Sequence, residues 1–433
     1  MFSFSKIKSL GIFIVLFLVT LLWNIQSASA GIVEDFSNAL KNGKPTLELR
    51  LAYEYVNINE LSYPNKHPGN EISLRTRVGY RTGEFLKTTA YIQLQNVTNL
   101  MEQFSFKRGY PGKIEGDTAQ DFIGDPHGSR VQQAYLDFRF IPQTLIRLGR
   151  QEITLDDQRL IGNVDWRQNG QSFDALTIIN HSVPNLTLFA SYINQVNTIF
   201  LGHMDLDAFY LFHATYTGIK GQSISAFVYL LDTEDESSSA RDCGTYGIRA
   251  AGNVPILKEI ALKYAVDYAY QGDFQDGKDH NANMFNAFLG TKINVFNVGA
   301  GFSYISGQDG NDKPFDTLFS TAHKFNGWAD EFLATNGGKL TAGLKDYYVQ
   351  AGVKVIGTKF LAVYHYFDTT DEKNQFDGTY GDEIDLLAAR KLTKNLSTLL
   401  KFAYYNRKDN DSSGYLNPTT DKTVFWARLI YKF

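Results

Sequence analysis

The chain has 433 residues, a formal net charge of -4 and 43% hydrophobic residues, so it can bury a large fold and lacks the basic excess of a nucleic-acid binder. Its one cysteine, Cys243, excludes an internal disulfide, and eight scattered histidines with no H-x-x-x-H pair argue against a zinc centre. Aromatic residues reach 14%, yet beyond the N-terminus no run of 18 apolar residues occurs, so no helix is expected to span a membrane downstream of it.

Lys6 and Lys8 precede an apolar run from Leu10 to Trp23, and small residues follow at Ala28 and Ala30. That pattern predicts a signal peptide over 1–30, cleaved after Ala30. Ile32, Val33, Phe36 and Leu40 then recur at helical spacing, and Gly43 is placed to end the helix. A short periplasmic segment over 31–45 is expected, helical or frayed, with a barrel filling 46–433.

From there the period changes to two. In "TLELRLAYEY", Leu47, Leu49, Leu51, Tyr53 and Tyr55 alternate with Glu48, Arg50, Ala52 and Glu54. Strict alternation means a strand between two environments. About eighteen such segments follow, centred near 47–56, 71–81, 86–96, 131–140, 145–152, 173–180, 185–193, 207–217, 222–231, 244–252, 259–270, 284–294, 295–305, 346–356, 359–367, 382–391, 396–406 and 423–433. The links alternate between short ("TGEF", "IPQT", "HSVPN", "TGIKG", "VPILK", "IGTK", "TKN") and long polar ones such as 97–130, 153–172, 306–345, 368–381 and 407–422. The expected fold is all-β: a transmembrane antiparallel barrel with short periplasmic turns and long extracellular loops. In hydrocarbon a sheet can have no free edge, so 47–56 should pair with 423–433. The chain ends on Phe433 with Tyr431 and Leu429 at alternate positions, a terminus that resembles the signal read by the bacterial barrel-assembly machinery.

The stretch Gly149–Leu176 packs acids and bases around Trp166 and Phe173. Its "GRQE", "DQRLIG", "DW" and "FDA" resemble the signature of the alginate-export family of outer-membrane porins. The resemblance singles out Arg150, Gln151, Glu152, Asp157, Gln158, Arg159, Leu160, Trp166, Phe173 and Asp174. Thr317–Phe332 also resembles a stretch in members outside true alginate producers. The sequence departs from the family at Asp156 and Ala175, where glycine is common, and at Gln171, where arginine is. The resemblance implies a channel in the outer membrane of a Gram-negative bacterium. Arg150 with Glu152, and Asp157 with Arg159, could cross-brace the loop with Trp166 as its anchor. Solute contact at a constriction is the second reading. A catalytic role is the third, although no G-x-S-x-G motif is present.

Strand parity turns one face inward, carrying Arg50, Arg75, Arg77, Arg81, Lys87, Arg139, Arg249, Lys263, Lys292, Lys354, Lys391, Lys401, Arg428 and Lys432. The inward acids are fewer: Glu48, Glu54, Asp137, Asp267, Glu383 and Asp385. A basic wall favours polar anionic solutes such as carboxylates, acidic sugars or acidic polysaccharide. A surface receptor or adhesin that displays loops on a barrel is the alternative, and an outer-membrane enzyme is third. The expected partners are lipid, lipopolysaccharide and solute, with no cofactor and no metal ligand set. "DNDSSG", Asp409–Gly414, starts like a calcium loop but has Thr420 at the twelfth position, so at most loosely held Ca²⁺ is expected there.

Overall fold

The computed structural model describes residues 30–59, 67–103, 105–106, 115–116, 120–234, 241–257, 260–333, 340–370, 378–408 and 421–433. The expected leader up to residue 29 and the calcium-loop-like Asp409–Gly414 with Thr420 lie outside them.

Helix α1, Ala30–Lys41, is followed by strands β1 (Lys44–Asn59), β2 (Gly69–Arg81), β3 (Thr88–Gln103), β4 (Gly128–Phe138), β5 (Thr144–Gln151) and β6 (Ser172–Asn180). Then come β7 (Leu186–Asn197), β8 (His203–Tyr216), β9 (Gln222–Thr233), β10 (Cys243–Leu257), β11 (Ile260–Asp273) and β12 (Asn281–Ile293). The wall is completed by β13 (Phe296–Ile305), β14 (Leu344–Val355), β15 (Thr358–Asp368), β16 (Thr379–Lys391), β17 (Leu396–Arg407) and β18 (Asp421–Lys432). They form one 18-stranded antiparallel sheet, each strand bonded to its neighbours in sequence. A two-residue ladder, 105–106 with 115–116, stands apart from it.

β1 pairs with β18 from Glu48↔Lys432 to Asn59↔Asp421, which closes the barrel. Phe433 continues that ladder through two backbone hydrogen bonds with Leu47. The outward positions are the large apolar ones: Leu51, Val78, Leu94, Phe212, Ile248, Tyr268, Val349 and Leu400 all stand exposed. In a bilayer this face meets acyl chains.

Two strand boundaries differ from the periodicity. Leu86 and Lys87 take φ of 48° and 56°, so they form the tight turn before β3, and Lys87 sits at the rim rather than on the bore wall. "VPILK" is mostly strand: the β10–β11 ladder runs on to Leu257, with a register shift between Pro255 and Leu257. A proline without an N–H is tolerated at such an irregularity near a strand end.

Helix α1 packs on the first short turn. The Phe36 ring meets Phe85 edge-on at 5.4 Å, and the Gly83 N–H donates to the Ala39 carbonyl at 2.8 Å.

Candidate functional site: two loops folded into the bore

The segment 152–171, between β5 and β6, and the described residues 306–333 and 340–343, between β13 and β14, turn inward from the long-loop rim. They are knitted to each other. The Phe319 N–H donates to the Leu160 carbonyl at 3.0 Å, and the Gly162 N–H donates to the Phe319 carbonyl at 2.9 Å. The Thr321 hydroxyl donates to Gln158 Oε1 at 2.8 Å. Phe315, Phe319 and Phe332 of the second segment share a buried cluster with the wall residues Phe209, Phe227, Tyr229, Phe367 and Tyr405. The outer half of the barrel therefore has an apolar core of its own, inside the wall.

Asp165 is the polar centre. On the wall Arg50 and Arg75 are direct cross-strand partners, and Arg77 follows two residues on. Such a like-charged row is unfavourable by itself. Asp165 answers it, accepting from Arg50 at 3.1 Å, Arg75 at 2.8 Å and Arg77 at 2.9 Å. Glu48 adds an ion pair to Arg75 and another to Lys432 at 2.8 Å. Burial pushes the Asp165 carboxyl upward, but Arg75, Arg50 and Arg77 outweigh it and hold the group well below the usual carboxylate range. Next to it, Trp166 stacks on His323 with ring centroids 4.0 Å apart, and the Arg428 guanidinium lies 3.7 Å over the indole. Arg428 also donates to the Trp166 carbonyl at 2.6 Å.

The wall bases Arg50, Arg75, Arg77, Lys401 and Arg428 thus point inward as parity requires, but they do not line open bore. Each is no more than 5% exposed, because the two inward loops cover them. Lys401 lies in an aromatic cage, 3.7 Å from the Trp328 ring centroid and 4.3 Å from that of Trp166. Arg139 extends past the end of β4, 3.8 Å from Asp137. Arg249 is paired with Asp157 at 2.9 Å and with Asp267. Lys263, Lys292 and Lys354 remain exposed on the inner face.

The expected cross-braces differ in their partners. Arg150 turns to Asp174, its neighbour across β5 and β6, with contacts of 2.8 and 2.9 Å rather than to Glu152. Residues two apart on a strand share a face, but a cross-strand neighbour offers the bidentate geometry. Glu152 instead accepts from Gln132 at 2.9 Å and Asn163 at 2.8 Å. Arg159 is 4.0 Å from Asp157 and lies 3.9 Å over the Phe325 ring. The Gln151 amide donates to the Ala175 carbonyl at 3.1 Å, Leu160 is buried, and Phe173 meets Phe319 edge-on at 6.2 Å. Where the family commonly has glycine, Asp156 adopts φ 49° and accepts from Ser225 on the wall at 2.7 Å. An acid tolerates that left-handed conformation when its side chain is bonded. Sequence reasoning missed Asp165, Arg167 and His323 as site residues. For Asp165 the row of inward arginines was the usable signal.

Two cavities lie beside these loops. The outer one, about 470 Å³, is lined by Trp166, Arg167, Phe200, Arg241, Ala322 and His323 among others. The inner one, about 370 Å³, is lined by Arg159, Arg249, Lys263, Lys324, Asp157, Asp267 and Asp346 among others. The short 3-10 turn Ala322–Lys324 contributes to both and so stands between them.

His323 makes that turn sensitive to acid. Its Nδ1 donates to Asp330 at 2.6 Å and its Nε2 accepts from the Lys401 ammonium at 2.6 Å, which is the neutral ring. Burial lowers its pKa from 6.5 to about 3, with Asp330 pulling up and Lys401 pushing down. A released His323 takes a proton below pH 6.5 that the seated ring refuses, so seating weakens as pH falls from 6.5 towards 3. In a planar bilayer, channel noise should grow between about pH 7 and pH 4 as that window is crossed. His323→Gln should flatten the dependence. A flat wild-type profile would show that the ring does not hold the turn.

Solved structures share this architecture. Pseudomonas aeruginosa OccK9 (OpdG) is 15% identical, with 92% of this chain and 99% of that one covered at a TM-score of 0.70. Acinetobacter baumannii OccAB4 is 13% identical, with 92% and 99% covered at 0.68. Pseudomonas aeruginosa OpdK, solved with vanillate, is 13% identical, with 91% and 99% covered at 0.67. Identity this low carries the fold alone. No curated protein matches the chain. The alginate export family, however, matches over residues 82–406, from the first turn of the wall into β17, and with that span the chain belongs to this family, as a channel of the outer membrane.

Proposed function

We propose that the channel passes polar anions, small carboxylates and acidic sugars first among them. The observation that carries this reading is the pairing of charges inside the barrel. Most inward acids have partners: Glu48, Glu54, Asp137 and Asp267 meet arginines, Asp346 meets His365 at 2.9 Å, and Glu71 is the exception among the described residues. Glu383 and Asp385 accept from the backbone N–H groups of Ala329 and Trp328 at 2.7 and 3.1 Å. Lys263, Lys292, Lys354 and Lys391 are exposed on the inner face and make no ion pair among the described residues. Low-dielectric walls focus such an unpaired field and enrich anions.

The inner cavity suits a small carboxylate, and vanillate, present with OpdK, is one. A polysaccharide would need both inward loops displaced. A barrel that only displays loops would have little use for cavities beside its inward loops or for unpaired lysines on its inner face, so the channel reading is preferred over the adhesin. The outward apolar face would take lipid and lipopolysaccharide, and Phe433 would serve assembly.

The test is the reversal potential of the purified protein across a KCl gradient. Chloride selectivity is expected, and Lys263→Glu combined with Lys324→Glu should weaken or invert it. A potassium-selective wild type would overturn the reading.

A further inference from the structure

On β1 and β2, Glu54 and Glu71 are direct cross-strand partners, and both side chains point into the barrel. Two carboxylates facing each other on a sheet repel, and burial sharpens the penalty. Asp125, from the segment just before β4, joins them. One oxygen from each of the three lies within 4.8 Å of the others. All three residues are buried, at 3%, 1% and 1% exposed.

The available cation does not serve them all. Arg167 of the signature loop donates from Nη1 to both Glu54 oxygens, at 2.9 and 3.1 Å, and from Nη2 to Asp330 at 3.0 Å. It stands 3.8 Å from Asp125. Glu71 has no ion pair among the described residues, and its Oε1 is buried without a hydrogen-bond partner. A second orphaned acceptor belongs to the same neighbourhood. The backbone N–H of Gln168 donates to Asp125 at 2.8 Å and its Nε2 donates to the Ser73 hydroxyl at 2.8 Å, two residues along β2 from Glu71. Its Oε1 is buried and unpartnered.

We propose that Glu54, Glu71 and Asp125 hold a divalent cation of the calcium type. The donors are all oxygen, with no imidazole or thiolate, which selects a hard ion over zinc or copper. A mutual separation within 4.8 Å equals about twice a Ca–O distance of ~2.4 Å, so one ion can reach all three. It would supply the charge that Glu71 lacks and relieve the cross-strand repulsion. The ion would tie the β1–β2 wall to the segment before β4. Through Glu54 and Arg167 it would also steady the inward loop. This site is separate from the acidic surface loops and does not depend on which solute the channel passes.

The experiment uses the full-length protein in detergent, stripped with EDTA. Tb³⁺, a calcium mimic, is added and tryptophan is excited. Trp426 is the cross-strand neighbour of Glu54 on β18, so sensitised Tb³⁺ emission that Ca²⁺ displaces is expected. Equilibrium dialysis with ⁴⁵Ca²⁺ should find one site that Glu71→Gln or Asp125→Asn weakens at least about tenfold, each lost carboxylate removing a hard ligand. Ca²⁺ should raise the melting temperature of the wild type and not that of Glu71→Gln. The melting temperature of Glu71→Gln in EDTA reports whether that variant is folded. If Tb³⁺ emission is absent, or if wild type and both variants bind Ca²⁺ alike, the proposal is wrong.

Discussion

Asp165→Asn should convert a narrow, quiet channel into a wider and noisier one. Asp165 is the shared acceptor of Arg50, Arg75 and Arg77, whose side chains are 5%, 0% and 6% exposed. The amide keeps the shape but removes the charge, leaving a row of buried guanidiniums with only Glu48, beside Arg50 and Arg75, and Glu152, 3.6 Å from Arg77, to answer them. Breaking a buried ion pair from one side costs ~3–5 kcal/mol, because the partner charge stays uncompensated. That is comparable to what can hold one loop against a wall. The loop should therefore leave the bore more often while the barrel, closed by its own ladders, stays intact. Single-channel recording should show higher mean conductance with frequent substates. It should also show stronger chloride preference, since the released arginines now face the bore. Unchanged conductance would mean that the loop is held chiefly by the apolar knit around Phe319.

Much of the wall was legible in the sequence because lipid imposes a rule with no exceptions. A spanning strand must alternate, and its sheet must close. Alternation, the alternating link lengths and the need for closure together gave about eighteen strands from Leu47 to Phe433, in the order and with the closure observed. Face assignment was legible for the same reason, and Arg50, Arg75, Lys263 and Lys354 do point inward. What parity could not give is what lies over an inward residue. Arg75 and Lys354 obey the same rule, yet one is sealed under Asp165 and the other is exposed. The difference comes from Asp165, 90 residues away in sequence from Arg75, and local patterns carry no such information. The inward apolar residues were hidden for a related reason. Phe209 and Tyr405 occupy positions that a water-filled bore would make polar, and they are apolar because Phe319 and Phe332 of the second loop pack on them. The paired acids Glu54 and Glu71 are visible in the sequence, but their adjacency needs the β1–β2 register.

Phe332→Ala separates packing from charge. Phe332 is 2% exposed, with its ring centroid 4.6 Å from Phe367, 5.1 Å from Tyr380 and 6.0 Å from Tyr405. Deleting a buried phenyl ring typically costs ~3–5 kcal/mol through lost transfer energy and the cavity left behind. Here the cost falls on the contact between the second loop and the wall strands β15, β16 and β17. The neighbouring ion pair Glu331–Lys422, at 2.9 Å, keeps one polar tether in place. The second loop should therefore loosen, and mean conductance should rise as it does for Asp165→Asn. Ion selectivity should behave differently. No charge is added to or removed from the bore, and Arg50, Arg75 and Arg77 stay under Asp165, so the reversal potential in a KCl gradient should stay close to wild type. The pair of variants thus reads the two fastenings independently. If Phe332→Ala shifted selectivity as far as Asp165→Asn does, the two loops would be leaving the bore as one body, and the knit between Leu160 and Phe319 would be stronger than either loop's grip on the wall.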